Sequence, residues 1–199
     1  MHDRRLFSVI VIGLLLAALC TWRIQTNQPL DYAAQVRLET TAVVSRSATN
    51  LTFEGLDAEN RMVRLSAFLG RHRVIVLFFD GEVGADMDTE LLRLRDRYVE
   101  LKANDVKVVA VTTALPQQNR AAMAPERAGE FPFPLVSDFN STSPEATHQI
   151  HRRWGRWDES TGAAKPGVFV IDRRGQVEFQ GGSPKPFDNV DSAVQSVIR

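Results

Sequence analysis

Two apolar runs joined by a one-sided helix constrain this chain more tightly than any other feature. Residues 72–79 read HRVIVLFF, β-branched and aromatic with no polar interruption after the first two positions, and residues 106–113 read VKVVAVTT. A strand that is apolar on both sides of its pleat is covered on both faces, so each run is a buried strand with other elements packed above and below it. Between them, DTELLRLRDRYVELKAND sets Leu91, Leu94, Tyr98 and Leu101 at helical spacing among charges, which makes a surface helix with one face on the core.

The flanking segments extend the alternation. LTFEGLDAENRMVRLSAF reads as two short strands around an acidic turn, Asp57 to Asn60, closed by a single helical turn after Ser66. FPFPLVSD is a Pro-bounded strand or turn, and SPEATHQIHRRWG is a helix with Pro144 near its first turn. GVFVIDRRGQVEFQ is a hairpin about Arg173 to Gly175, and DNVDSAVQSVIR is a terminal helix. Strands alternating with helices, then a hairpin and a closing helix, describe an α/β domain over residues 51–199.

Ahead of that domain lies an uncharged run from Leu6 to Trp22, closed by Arg23. As a helix it spans roughly 25 Å, within the range of a membrane-crossing segment. Arg4 and Arg5 before it favour a cytoplasmic N-terminus, which puts the domain on the far side, periplasmic or at the cell surface. Ala18-Leu19-Cys20 is a poor cleavage site, so residues 1–23 are expected to be an uncleaved signal anchor that partners the membrane. Residues 24–50, polar and ending in SRSATN, are expected to be a stalk or linker.

Lys plus Arg (24) equal Asp plus Glu (24), so no global field favours nucleic acid. The single cysteine is Cys20, inside the anchor run, which leaves the domain with no intramolecular disulfide and no thiol nucleophile.

From about Leu51 onward the pieces LTFEGLDAENRMVRLSAFLG, VIVLFF, TELLRLRDRY, VKVVAVTT, FPFPLVSD and GVFVIDRRGQV occur in an order and spacing that resemble the redoxin group. These are the peroxiredoxins of the alkyl hydroperoxide reductase/thiol-specific antioxidant type and their membrane-anchored thiol-disulfide relatives. The resemblance implies a thioredoxin-like fold, a central mixed sheet flanked by helices, and an antioxidant or oxidoreductase activity. In the register that matches Thr89-Glu90 to the Thr-Glu after the peroxidatic cysteine, Met87 stands at that cysteine, Gly84 at the catalytic threonine and Asp80 at the preceding proline. The Cys-x-x-Cys of thioredoxin-like reductases falls on Gly84-Ala85-Asp86-Met87, both thiols missing. The arginine before the late strand falls near Pro166, which is similar to the proline facing the active site in thioredoxins, with Lys165 one residue off.

Peroxide reduction and disulfide exchange both need a thiolate, and Met87 does not ionise. The implied activity is therefore not carried by these residues, and a non-catalytic binding or scaffolding module is expected, its partner at the old cleft around Asp80 to Met87 and Pro166-Gly167. The competing reading is a thiol-dependent oxidoreductase that borrows a thiol from a partner or from another copy's Cys20.

Other chemistry is thinner. Asp80, Glu82, Asp86, Asp88 and Glu90 surround one helix start and are weak candidates for a hard cation, but acids at 86, 88 and 90 also cap the helix and complement its dipole. His148 and His151 share a predicted helix face without an evident third ligand, which fits a solvated surface. In HRRWGRW, Trp154 completes a hydrophobic face and Trp157 lids a loop. No Gly-rich phosphate loop, nucleophile elbow or zinc spacing occurs, so no cofactor is expected.

Overall fold

The computed structural model describes residues 51–140, 143, 146–178 and 186–198. The expected anchor and stalk lie outside the described residues, among which no helix is long and apolar enough to cross a membrane.

The two apolar runs become β3 (Arg73–Phe79) and β4 (Val106–Thr112), parallel neighbours at the centre of a seven-stranded sheet. The acidic turn joins β1 (Glu54–Leu56) to β2 (Met62–Arg64), and the Asp57 carboxylate accepts the N–H groups of Glu59 and Arg61 to hold it. β5 (Leu135–Ser137) runs parallel to β4; β8 (Gly167–Ile171) runs antiparallel to β3 and turns back into β9 (Val177–Glu178). The order β2-β1-β5-β4-β3-β8-β9 is a mixed sheet. A separate two-stranded ribbon, β6 (Trp157–Asp158) and β7 (Ala163–Ala164), precedes β8.

Successive residues of β3 divide between two cores, as a pleated strand covered on both sides requires. Ile75, Leu77 and Phe79 meet α1 (Thr89–Asp96) through Leu91 and Leu94, α2 (Tyr98–Ala103) through Leu101, and α5 (Val190–Val197) through Val190, Val194 and Val197. Val74, Val76 and Phe78 meet Phe53, Leu65 and α4 (Gln149–Arg153) through Ile150, with Trp154 and Phe169 beside them. The rings of Phe78, Trp154 and Phe169 pack with centroids 5.1–5.8 Å apart. Each such fully buried side chain contributes roughly 1.5–3 kcal/mol.

Two readings are corrected, and one helix had no sequence signal. The helix expected over 88–105 is broken at Arg97, where ψ flattens to −1°, while its guanidinium bonds Glu100 and Asp191. The leucine face survives the break, because Leu101 still donates to the Arg97 carbonyl. The expected helix over 143–155 is regular only from Gln149 to Arg153. A further helix, α3 (Pro116–Ala122), has no apolar period to announce it; Pro116 starts it and Gln118 Oε1 accepts the Leu115 N–H at 2.7 Å.

Candidate functional site

The β3 strand delivers its C-terminal end into the loop that precedes α1. Asp80 accepts the Glu82 N–H at 2.9 Å, and Gly81 donates to Thr113 Oγ1 at 3.2 Å in the loop after β4. A Cβ at Gly81 would lie 2.3 Å from the Ala114 nitrogen, so only glycine lets the two strand exits approach this closely. Gly84 has φ +85°, and its carbonyl accepts the N–H groups of Met87 and Asp88 at 3.2 and 3.1 Å. Ala85 plugs into the core, and Val83 and Met87 project outward, 50% and 67% exposed.

The acids on this loop are spent separately. Asp88 caps α1, accepting the Leu91 N–H at 2.8 Å, and partial burial holds its carboxyl above the usual range. Glu90 takes the N–H of Val190, at the start of α5, and the Arg93 guanidinium, both at 2.7 Å. Asp86 does not cap the helix as the sequence suggested; it pairs with Arg127, whose Nε lies 2.8 Å away. Among the described residues no three His, Cys, Asp or Glu side chains come together as a metal site.

Two cavities flank the loop. One, of about 380 Å3, opens between Asp88 and Glu90 on one wall and Pro166, Gly167 and Phe187 on the other. The structure thus brings Pro166 to the start of α1. Asp80 and Glu82 line the second, of about 320 Å3, with Thr113, His148 and Trp157. Met87 and Gly84 line neither of the two.

The AhpC/TSA family model matches residues 44–180. The chain belongs to the AhpC/TSA family. Alkyl hydroperoxide reductase E of Mycobacterium tuberculosis is 30% identical over 132 residues, 66% of this chain and 81% of that protein. The chloroplastic 2-Cys peroxiredoxin BAS1 of Arabidopsis thaliana is 24% identical, over 74% of this chain and 55% of its own length. Peroxidoxin BcpB from Mycobacterium tuberculosis superimposes with a TM-score of 0.56 at 21% identity, covering 74% of this chain and 92% of its own. Enterococcus faecalis AhpC gives 0.56 at 23% identity, covering 73% and 86%. The fold is the peroxiredoxin variant of the thioredoxin-like sheet.

The loop's backbone at Gly84 is itself selective. A threonine at position 84 would have to adopt a left-handed φ of +85°, with its Cβ 3.1 Å from Asp86 Oδ1. A β-branched residue there is strained by about 1–2 kcal/mol. Lys165 turns away from the cleft to pair with Asp158 at 3.1 Å.

The paired histidines are also corrected. His148 sits ahead of α4 with φ +64°, its ring stacked on Trp157 at 4.2 Å, and burial holds its pKa below the ordinary value. His151 is fully buried, its Nδ1 2.7 Å from Asp138 Oδ2. The two rings stand perpendicular with centroids 6.5 Å apart, so they do not form a solvated face. Trp154 is buried in the core as read, and its indole N–H donates to the Leu51 carbonyl at 3.0 Å. Sequence reasoning missed Arg156. Its Nη1 lies 3.5 Å from the Pro166 carbonyl, near which the resemblance set the family's arginine.

Proposed function

We propose that this AhpC/TSA member is a non-catalytic binding or scaffolding module, its redoxin-like domain held outside the cytoplasm by an N-terminal membrane anchor. The observation that carries the reading is Met87, which the register through Thr89-Glu90 sets at the peroxidatic thiol, projecting 67% exposed from a loop with no cysteine. A thioether supplies no thiolate for attack on a peroxide or a disulfide. The strained left-handed φ a threonine would need at Gly84 supports loss of the chemistry rather than its relocation within the loop. The cleft between the start of α1 and Pro166-Gly167 remains open, which supports a retained role in holding a protein partner. The uncharged run from Leu6 to Trp22 after Arg4 and Arg5 supports the anchor and its orientation.

Family membership favours a second reading, a thiol-dependent peroxidase, for which Cys20 of another copy or a partner's thiol would have to reach the cleft. Peroxide and disulfide turnover by the 199-residue chain in nonionic detergent, beside Met87→Cys, separates the two. The expected result is no turnover by the parent and stoichiometric peroxide consumption only by the variant. Turnover by the parent that persists in Cys20→Ser would refute both a silent loop and a borrowed Cys20.

A further inference from the structure

We propose that Met87 is an oxidation site, whose thioether takes an oxygen atom from a hypohalous acid and so turns an apolar loop tip polar. The inference goes beyond the reading above, because it holds whether or not a thiol ever reaches the cleft.

Exposure singles out this sulfur. Met87 is 67% exposed, on the same loop as the exposed Val83. Among the other described methionines, Met62 is 51% exposed on β2, and Met123 packs against the core at the end of α3. A thioether reacts as the neutral group, so the lack of an ionisable proton is no handicap toward an electrophile. Its lone pair attacks the chlorine of hypochlorous acid, the Cl–O bond breaks, and hydroxide leaves. Water then adds to the chlorosulfonium sulfur, chloride and two protons depart, and one of these protons neutralises the hydroxide. The balance is thioether plus hypochlorous acid to sulfoxide plus chloride and a proton, with two electrons passing from sulfur to chlorine.

The charges of the loop favour that cationic intermediate. The carboxylates of Asp80, Glu82 and Asp88 share the loop with Met87, and none of the three is in an ion pair among the described residues. Charges that oppose a thiolate support a sulfonium, because the sign at sulfur is reversed. One carboxylate about 6 Å away in bulk water favours a unit positive charge roughly threefold. Hypochlorous acid approaches as a neutral molecule, so the same carboxylates do not repel it. Met62 lacks this help, since Arg61 and Arg64 beside it already neutralise Asp57, Glu59 and Glu54. The sulfoxide forms without cost to the fold, because Gly81, Ala85 and Asp86 fasten the loop.

The test is peptide mass mapping of the 199-residue chain in nonionic detergent after about half an equivalent of hypochlorous acid, in a Cys20→Ser background so that no thiol competes. Sulfoxide is expected at Met87 at least twofold ahead of Met62, about threefold by the charge alone, with little at Met123. Sodium sulfate at about 1 M ionic strength cuts the Debye length to about 3 Å and is expected to bring Met87 and Met62 within twofold of each other. A lead of less than twofold over Met62 at low salt would overturn the site. A lead that salt does not reduce would overturn the role given to the carboxylates. The oxidised chain is expected to unfold in urea at the midpoint of the untreated one, and a lowered midpoint would overturn the claim that the modification spares the fold.

Discussion

Replacing Met87 by cysteine measures how much activation the loop still offers a thiol. In a Cys20→Ser background the new thiol is the only one, and it inherits a side-chain position that is 67% exposed. The start of α1 stabilises a thiolate by about 0.3–1 kcal/mol, which lowers its pKa by roughly 0.2–0.7 units. Against this stand Asp80, Glu82 and Asp88, none of which is in an ion pair among the described residues. A single carboxylate about 6 Å away in bulk water raises the pKa by roughly 0.5 units. One such carboxylate already offsets the helix start, so the thiol stays at or above the ordinary ~8.5, with no more than about 3% thiolate at pH 7. Bromobimane alkylation followed against pH is expected to show a midpoint of about 8–9, with peroxide consumed no faster than by free cysteine. A midpoint below pH 7 would refute this reasoning, because it would mean that the cleft still stabilises a thiolate strongly.

Asp138→Ala strips the acceptor of the Ile150 and His151 N–H groups and of His151 Nδ1, at 3.1, 2.7 and 2.7 Å, all buried. A loss of roughly 3 kcal/mol or more is expected in urea unfolding, and a loss under ~1 kcal/mol would remove the network from the account of the fold. His148 binds its proton less readily folded than unfolded, so its contribution is present above the ordinary value of 6.5 and is lost as pH falls below it. Stability measured from pH 7 to pH 5 is expected to drop less steeply in His148→Asn, whose asparagine tolerates the left-handed backbone; an unchanged slope would contradict the assignment.

The sheet was legible because its signals are local. Uninterrupted runs such as HRVIVLFF require cover on both faces, and the Asp172 to Gln176 turn between β8 and β9 falls where the sequence placed it. The missing thiols were legible by register alone. The histidines were not, since the partner that buries His151 is Asp138, thirteen residues away, and His148 leaves the helix through a left-handed residue. Arg156 was hidden for a similar reason: it reaches Pro166 across the β6–β7 ribbon, whose two-residue strands carry no pattern long enough to read. Asp86 was misplaced because Arg127, forty-one residues on, outcompetes the helix end for its carboxylate.

The outward projection of Met87 has a consequence for how such a chain changes over time. The β3 strand is held by two cores, and the loop beyond it is fastened by Ala85, Gly81 and the Asp86–Arg127 pair, none of which involves position 87. The side chain at position 87 therefore carries none of the weight of the architecture. Its replacement leaves those fastenings in place, so a chain of this shape accepts a different side chain at 87 without giving up its fold.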